Sequence, residues 1–476
     1  MVPSNIAREI PKLVTSRWLK QEYPIYPLLG LVSTIVGTLI AIFILPEETT
    51  APSALFPCAL AMTLGLAIAP FAAACRSPRT LLRTEHVLVL APIYWLLLDL
   101  LQQAYSLEYF PNSFVAGTFL SIGLFTTGVW LAALMRPLPM PTSLANAADH
   151  RLNPTLIFSL ILVFFSIAII KFAYPCDFNP MLMFFHLGSD RWSAPWARET
   201  LGGWSSFIDH LDYFGYLLPT LTTLLIVRSR RLDFRVILAI SLSVIMTAFL
   251  AQAGGRRIIG VVLGAAIICW VLEQQKLKLK QIIITLVSVA MVLGIMQWML
   301  EVRNDGFQAL LQKEHPEFQY KHLHIDDNFL RLAQTIALVP RYYPYVYEKQ
   351  IIFTLVRPIP RVFWPDKPVD PGFDLPSALG VEGISYSYTV IGDWYICAGW
   401  IGIFFGGIIY GGFARMVGQL LTKNTENASA IVYSLCTMAL FAGFRSMLEL
   451  VLMSYAVLAW MLISWLMLPK RKILKG

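Results

Sequence analysis

The stretch Gln281-Ile-Ile-Ile-Thr-Leu-Val-Ser-Val-Ala-Met-Val-Leu-Gly-Ile-Met-Gln-Trp-Met-Leu-Glu301 carries no charge before its last residue. About 20 apolar residues suffice to cross a bilayer as a helix, and this run reads as one such span. A polar stretch, Arg303 to Tyr388, follows it, and a second apolar run at 389–413 closes it. Working outward, further runs lie at 25–45, 53–74, 86–103, 114–135, 154–174, 207–227, 234–252, 258–273, 427–445 and 448–468. The expected fold is an all-α polytopic membrane protein of about 12 transmembrane helices. Its one long outward-facing loop lies between helices 9 and 10. The domain reading is a cytoplasmic lead-in at 1–24, helices 1–9 over 25–301 with an outer segment at 175–206, and the loop over 302–388. Helices 10–12 over 389–468 and a cytoplasmic tail at 469–476 complete it.

Composition supports the class. Hydrophobic residues make up 57% and charged residues 14%, and mean hydropathy is +0.63. Soluble domains carry about a quarter charged residues. The net charge of +8 does not indicate nucleic acid, because the cations sit in short gaps between apolar runs, where cytoplasmic loops carry them. With the N-terminus inside, the inner gaps hold Arg76, Arg79 and Arg83; Arg136 and Arg151; Arg228, Arg230, Arg231 and Arg235; Lys276, Lys278 and Lys280; and Arg415 and Lys423. The gaps 46–52 and 104–113 hold no Lys or Arg. The first apolar run is expected to stay as an anchor. Six cysteines without a CxxC suggest neither a zinc nor a redox motif.

Outer cations oppose that bias and call for another reason. They occur at Arg191, at Gly254-Gly255-Arg256-Arg257, through the long loop, and at Arg445. In the loop, Arg303, Arg357, Arg361 and Lys367 accompany Trp364 in the proline-constrained segment Arg357-Pro-Ile-Pro-Arg361-Val-Phe-Trp364-Pro-Asp366-Lys367-Pro368. Guanidinium groups grip phosphate oxygens in a two-toothed fashion, and Arg256 and Arg257 begin a helix, where the dipole also favours an anion. A phosphate at headgroup depth is the expected ligand, with Arg198, Arg331 and Arg341 read as headgroup contacts. Asp393, at the outer end of the tenth span, is the leading candidate to accept a proton. Glu382, Asp326, Asp327, His322 and His324 are further candidates. Asp326 or Asp327 is expected to cap a helix reaching Val339. Lys171 is expected to snorkel, and Asp99 and Glu449 to be interfacial or paired. His322, His324 and Asp326 match no metal motif, so no metal and no cofactor are expected. Walker, GxGxxG, HExxH and GxSxG patterns are missing from the chain.

Pro358-Ile-Pro-Arg361-Val-Phe-Trp364-Pro-Asp-Lys367-Pro resembles the PR-x-x-W-P-x-K-P signature of bacterial oligosaccharide-repeat-unit polymerases, the O-antigen polymerase family. Gly392-Asp393-Trp394-Tyr395-Ile-Cys-Ala-Gly399-Trp-Ile-Gly402, the Gly254-Gly-Arg256 turn and Arg445 also fit that pattern, with Asp393 where the family more often has Glu. The resemblance covers about 245–450. It implies a metal-independent, GT-C-like glycosyltransferase in the bacterial inner (cytoplasmic) membrane with its site facing outward. Such an enzyme moves a growing glycan from undecaprenyl pyrophosphate onto a new lipid-linked repeat unit, so donor and acceptor are both undecaprenyl-pyrophosphate-linked oligosaccharides. Membrane lipids, a chain-length regulator and a flippase are the other implied partners. The implied roles are catalysis for Arg361, Asp393 and Arg256, and pyrophosphate contact for Arg257, Arg303, Arg357, Lys367, Arg445 and Arg191. Sugar stacking falls to Trp364, Trp394 and Tyr395. A glycan ligase with the same donor chemistry and a lipid-linked oligosaccharide flippase are the alternatives. The flippase is expected to show mid-membrane charge paths and paired halves, whereas the charge here concentrates at one face.

Overall fold

The computed structural model describes residues 25–107, 110–190, 193–197, 206–229, 232–254, 256–274, 276–302, 322–359, 363–368, 370–381, 383, 385–422 and 427–467. The described residues are helical, with one isolated β-bridge between Arg151 and Asn427. Among the described residues, nine helices are long and apolar enough to cross a membrane. In chain order the main helices are α1 (Ile25–Phe43), α2 (Phe56–Ala74), α3 (Thr84–Leu101, with a π turn at Ile93–Leu97), α4 (Asn112–Leu134) and α5 (Pro154–Ala173). Then come α6 (Leu218–Arg228), α7 (Phe234–Gly254), α8 (Arg256–Glu273) and α9 (Leu279–Val302). The series ends with α10 (Asn328–Leu338), α11 (Glu348–Leu355), α12 (Thr389–Gly418), α13 (Ser429–Ala442) and α14 (Met447–Met467).

Three expected spans differ from the rest. The run at 207–227 forms three pieces, Ser206–Asp209, Asp212–Gly215 and α6. α8 opens on two arginines, and α13 has only 14 residues. α8 and α13 are nonetheless held at both ends of the bundle, and the sixth run is tied at its Arg228 end. At one end Arg228 pairs with Glu273 at 3.2 Å, and Ala428 N–H donates to the His150 carbonyl at 2.9 Å. At the other end, where 322–388 packs, Arg256 reaches Asp326 at 2.6 Å and Val390 N–H donates to the Phe444 carbonyl at 2.9 Å.

The helices meet through small residues and ring contacts. α12 packs along α4, where a side chain on Gly407 would collide with the Phe125 backbone and one on Gly411 with that of Val129. The amphipathic α10 turns Phe329, Leu332, Ala333 and Ile336 inward, with Phe329 5.0 Å from Phe119 of α4. That burial fits its 3.6-residue apolar spacing. α12 is broken at Ala398 and Gly399, where Gly399 takes φ +62°, a conformation glycine adopts without steric cost. The break folds 389–397 back so that the Trp394 indole lies against Gly406. The Ile396 carbonyl, close to the break, accepts from Val346 N–H at 2.8 Å.

Candidate functional site: an arginine–carboxylate cluster at the loop end

Arg256 and Arg257 open α8, and Arg445 lies in the turn between α13 and α14. These elements are far apart in sequence, yet their guanidinium groups converge. Arg256 donates to Asp326 Oδ1 at 2.6 Å and to the His324 carbonyl, and Arg445 Nε donates to Asp326 Oδ2 at 3.1 Å. Arg257 pairs with Glu449 in the first turn of α14, and Arg445 Nη1 lies 3.6 Å from the same carboxylate. Among the described residues, three guanidinium groups therefore meet two carboxylates. Burial alone would raise the Asp326 pKa, but Arg445, Arg256 and Arg257 outweigh it and hold the carboxyl well below its usual range. Asp326 is thus a fixed counterion and a weak proton acceptor.

The segment carrying Asp326 is docked onto α3 and α9. Gln102 exchanges two hydrogen bonds with the Leu323 backbone at 2.9 and 3.0 Å, and His324 N–H donates to Gln297 Oε1 at 3.1 Å. Asn328 Nδ2 donates to the carbonyls of Trp95 and Ile325. Asp326 and Asp327 both take positive φ, +68° and +50°, a strained conformation for residues with a Cβ that surrounding structure must enforce. The expected helix cap is therefore absent: Asp327 stands at the cap position without a capping hydrogen bond. Its carboxylate instead lies 3.9 Å from Arg331 and 4.0 Å from His324. Among the described residues no three His, Cys, Asp or Glu side chains gather as a metal site.

Set against models of known protein families, curated proteins and solved structures, the chain matches none.

Arg256, Arg257 and Arg445 are thus brought together. Arg191, Arg303 and Arg361 lie outside the described residues, as does Glu382. Arg357 and Trp364 are exposed. Four other expectations need correction. Asp393 is 2% exposed, and its oxygens accept from Gln350 Nε2 at 2.8 Å and from the Met447 N–H at 2.7 Å. It ties α11 and the start of α14 to α12, which leaves it poorly placed to take a substrate proton. Tyr395 is buried, donates to the Val339 carbonyl at 3.0 Å and rests edge-on against Trp400, so its ring cannot stack on a sugar. Lys367 is buried and donates to the Ile359 and Arg357 carbonyls at 2.7 and 3.3 Å. It closes the proline-rich loop on itself. Lys171 does not snorkel, being buried at 2.6 Å from Asp212. Trp394 is half-buried along its own helix.

Sequence reasoning expected Glu449 to be interfacial or paired, and it is paired with Arg257, but it did not single out Asp326 and Glu449 as the counterions that gather the arginines. Their signal was only a carboxylate near an apolar boundary, and no spacing rule links residues 70 or 192 positions apart.

Proposed function

We propose that the chain polymerises undecaprenyl-pyrophosphate-linked oligosaccharides by metal-independent glycosyl transfer in a bacterial cytoplasmic membrane. The reading takes twelve crossings with both termini inside and 302–388 outside. The two-ended tethering of α8 and α13 supports that count. So does the grouping of residues 79, 228, 273, 415 and 428 away from the loop end.

The observation that carries the proposal is the convergence of Arg256, Arg257 and Arg445 on shared carboxylates. A preorganised cationic cluster can hold a leaving pyrophosphate and stabilise charge as the anomeric C–O bond breaks. The acceptor hydroxyl forms the new bond to that carbon, and its proton ends on the released lipid pyrophosphate or in solvent. Arginine suits this work because it stays charged and offers paired donors. The positive N-terminus of α8 adds to the field. Asp326 and Glu449 hold the arginines in place until the anion arrives. Arg361 and Trp364, in the proline-rich loop, complete the donor side in this scheme, and Asp393 is a positioning residue.

The test is to incubate purified protein with a lipid-linked repeat unit and resolve product lengths. A ladder is the expected result. A single addition onto a different acceptor identifies a ligase instead, and an unaltered substrate refutes glycosyl transfer. Arg256→Ala is expected to lower turnover about a hundred- to a thousandfold, whereas replacing Arg341, an exposed cation of the long loop, by Ala leaves it near normal.

A further inference from the structure

The turn that presents Arg445 is gripped from one side. Ser387 Oγ donates to the Arg445 carbonyl at 2.8 Å, and Val390 N–H donates to the Phe444 carbonyl at 2.9 Å. Asp393 Oδ2 accepts from the Met447 N–H at 2.7 Å. Residues 387–393 thus hold Phe444, Arg445 and Met447 together. The gripping segment is itself forced into shape. Thr389 is buried and takes φ +62°, a conformation that a β-branched residue adopts only where its surroundings enforce it. The same turn places Glu449, whose N–H donates to Ser446 Oγ at 3.1 Å. Arg445 leaves it with Nε on Asp326 at 3.1 Å and Nη1 3.6 Å from Glu449.

One end of this grip reaches into the long loop. Gln350 of α11 is 4% exposed, and its Nε2 donates to Asp393 Oδ1 at 2.8 Å. Its Oε1 is buried without a hydrogen-bond partner among the described residues. A glutamine with half of its amide unmet is a poor choice for stability alone. It is well suited to fixing the orientation of one carboxylate. α11 packs on both α12 and α14, and the proline-rich segment starts at Arg357, two residues after α11 ends at Leu355.

We propose that Gln350 is a positioning residue for Arg445. Through Asp393 it joins α11, and with it the base of the proline-rich loop, to the turn that aims the guanidinium at Asp326. With the bond made, loop and arginine turn form one preorganised frame, so little rearrangement is needed when an anion arrives. With the bond lost, Asp393 keeps an unpaired, buried carboxylate oxygen. That is costly enough to draw the side chain toward another donor and loosen its hold on the Met447 N–H. The effect on anion affinity rests on the pyrophosphate chemistry proposed above, whereas the hold on the turn does not.

Hydrogen exchange of the full-length protein in detergent, read by mass spectrometry, follows the turn without any ligand. Gln350→Leu is expected to speed exchange of a peptide covering 443–450 about tenfold, with α1 and α5 unchanged. It is also expected to weaken inorganic pyrophosphate, titrated calorimetrically, about three- to tenfold. Gln350→Glu combined with Asp393→Asn rebuilds the bond in the opposite direction, the new amide donating to the new carboxylate. This pair should bring both readings to within about twofold of wild type. Should Gln350→Leu fail to fold, Gln350→Asn, one methylene too short, carries the same expectation. Unchanged exchange at 443–450, or an increase shared equally by α1 and α5, overturns the positioning role. So does a double variant that stays as loose as Gln350→Leu. Local loosening with unaltered pyrophosphate affinity, in a protein whose wild type binds it, also overturns the proposal, because Arg445 is then not what the bond places. Local loosening in a protein whose wild type binds no pyrophosphate upholds the link and refutes the anion site instead.

Discussion

Replacing Asp326 by Asn should destabilise the protein and at the same time tighten its hold on pyrophosphate. Asp326 accepts from Arg256 at 2.6 Å and from Arg445 at 3.1 Å. Removing a hydrogen bond to a charged partner costs roughly 1.5–3 kcal/mol. The amide oxygen can keep one of the two bonds, and water replaces part of the other, because the Asp326 side chain is 30% exposed. A net loss of about 2 kcal/mol is therefore expected. The substitution also makes the cluster one unit more positive. An added unit charge about 5 Å from an anion contributes at most roughly 3 kcal/mol at an effective dielectric of 20. With salt and solvent screening about 1 kcal/mol should remain, or roughly fivefold in affinity. Thermal unfolding in detergent, with and without inorganic pyrophosphate, reads both effects. The variant melts below wild type without ligand, and saturating pyrophosphate recovers about half of the difference by mass action. Equal or weaker pyrophosphate affinity in Asp326→Asn would refute the view that the carboxylate is a counterion displaced by the ligand.

Acidification should act through the same residue. Its carboxyl is held below the usual range in the folded protein, so its stabilising contribution is complete above about pH 4 and is lost as pH falls toward the depressed value. Melting curves from pH 7 to pH 3 should show this loss in wild type, with a smaller one in Asp326→Asn; parallel curves would contradict it. Asp393→Asn should keep polymer formation, since an amide oxygen can still accept from Met447 N–H. Asp393→Ala should lose roughly 2–4 kcal/mol through two unpaired donors, and a hundredfold loss of turnover in a stable Asp393→Asn protein would return it to catalysis. Cysteine placed at position 320 should label from outside intact cells and cysteine at position 277 should not; the reverse pattern inverts the site.

The sequence by itself determined the membrane class and the positions of most helices, because a bilayer demands long uncharged runs and those are written locally. Among the described residues, nine of its runs appear as helices long enough to cross. It also singled out Arg256, Arg257 and Arg445, since cations on the face where the positive-inside bias is weakest stand out one residue at a time. What each polar group does was decided only in three dimensions. Asp393 and Asp326 are both carboxylates near an apolar boundary, yet one ties helices together and the other gathers arginines. That difference comes from Gln350, the Met447 N–H, Arg256 and Arg445, partners brought near by packing across long stretches of chain. The Lys171–Asp212 pair followed the same rule. A lysine near a helix end looks like a snorkelling side chain until the break in the next run brings a carboxylate to 2.6 Å. Periodicity reports where a segment faces apolar surroundings, and it says nothing about which distant charge will be waiting there.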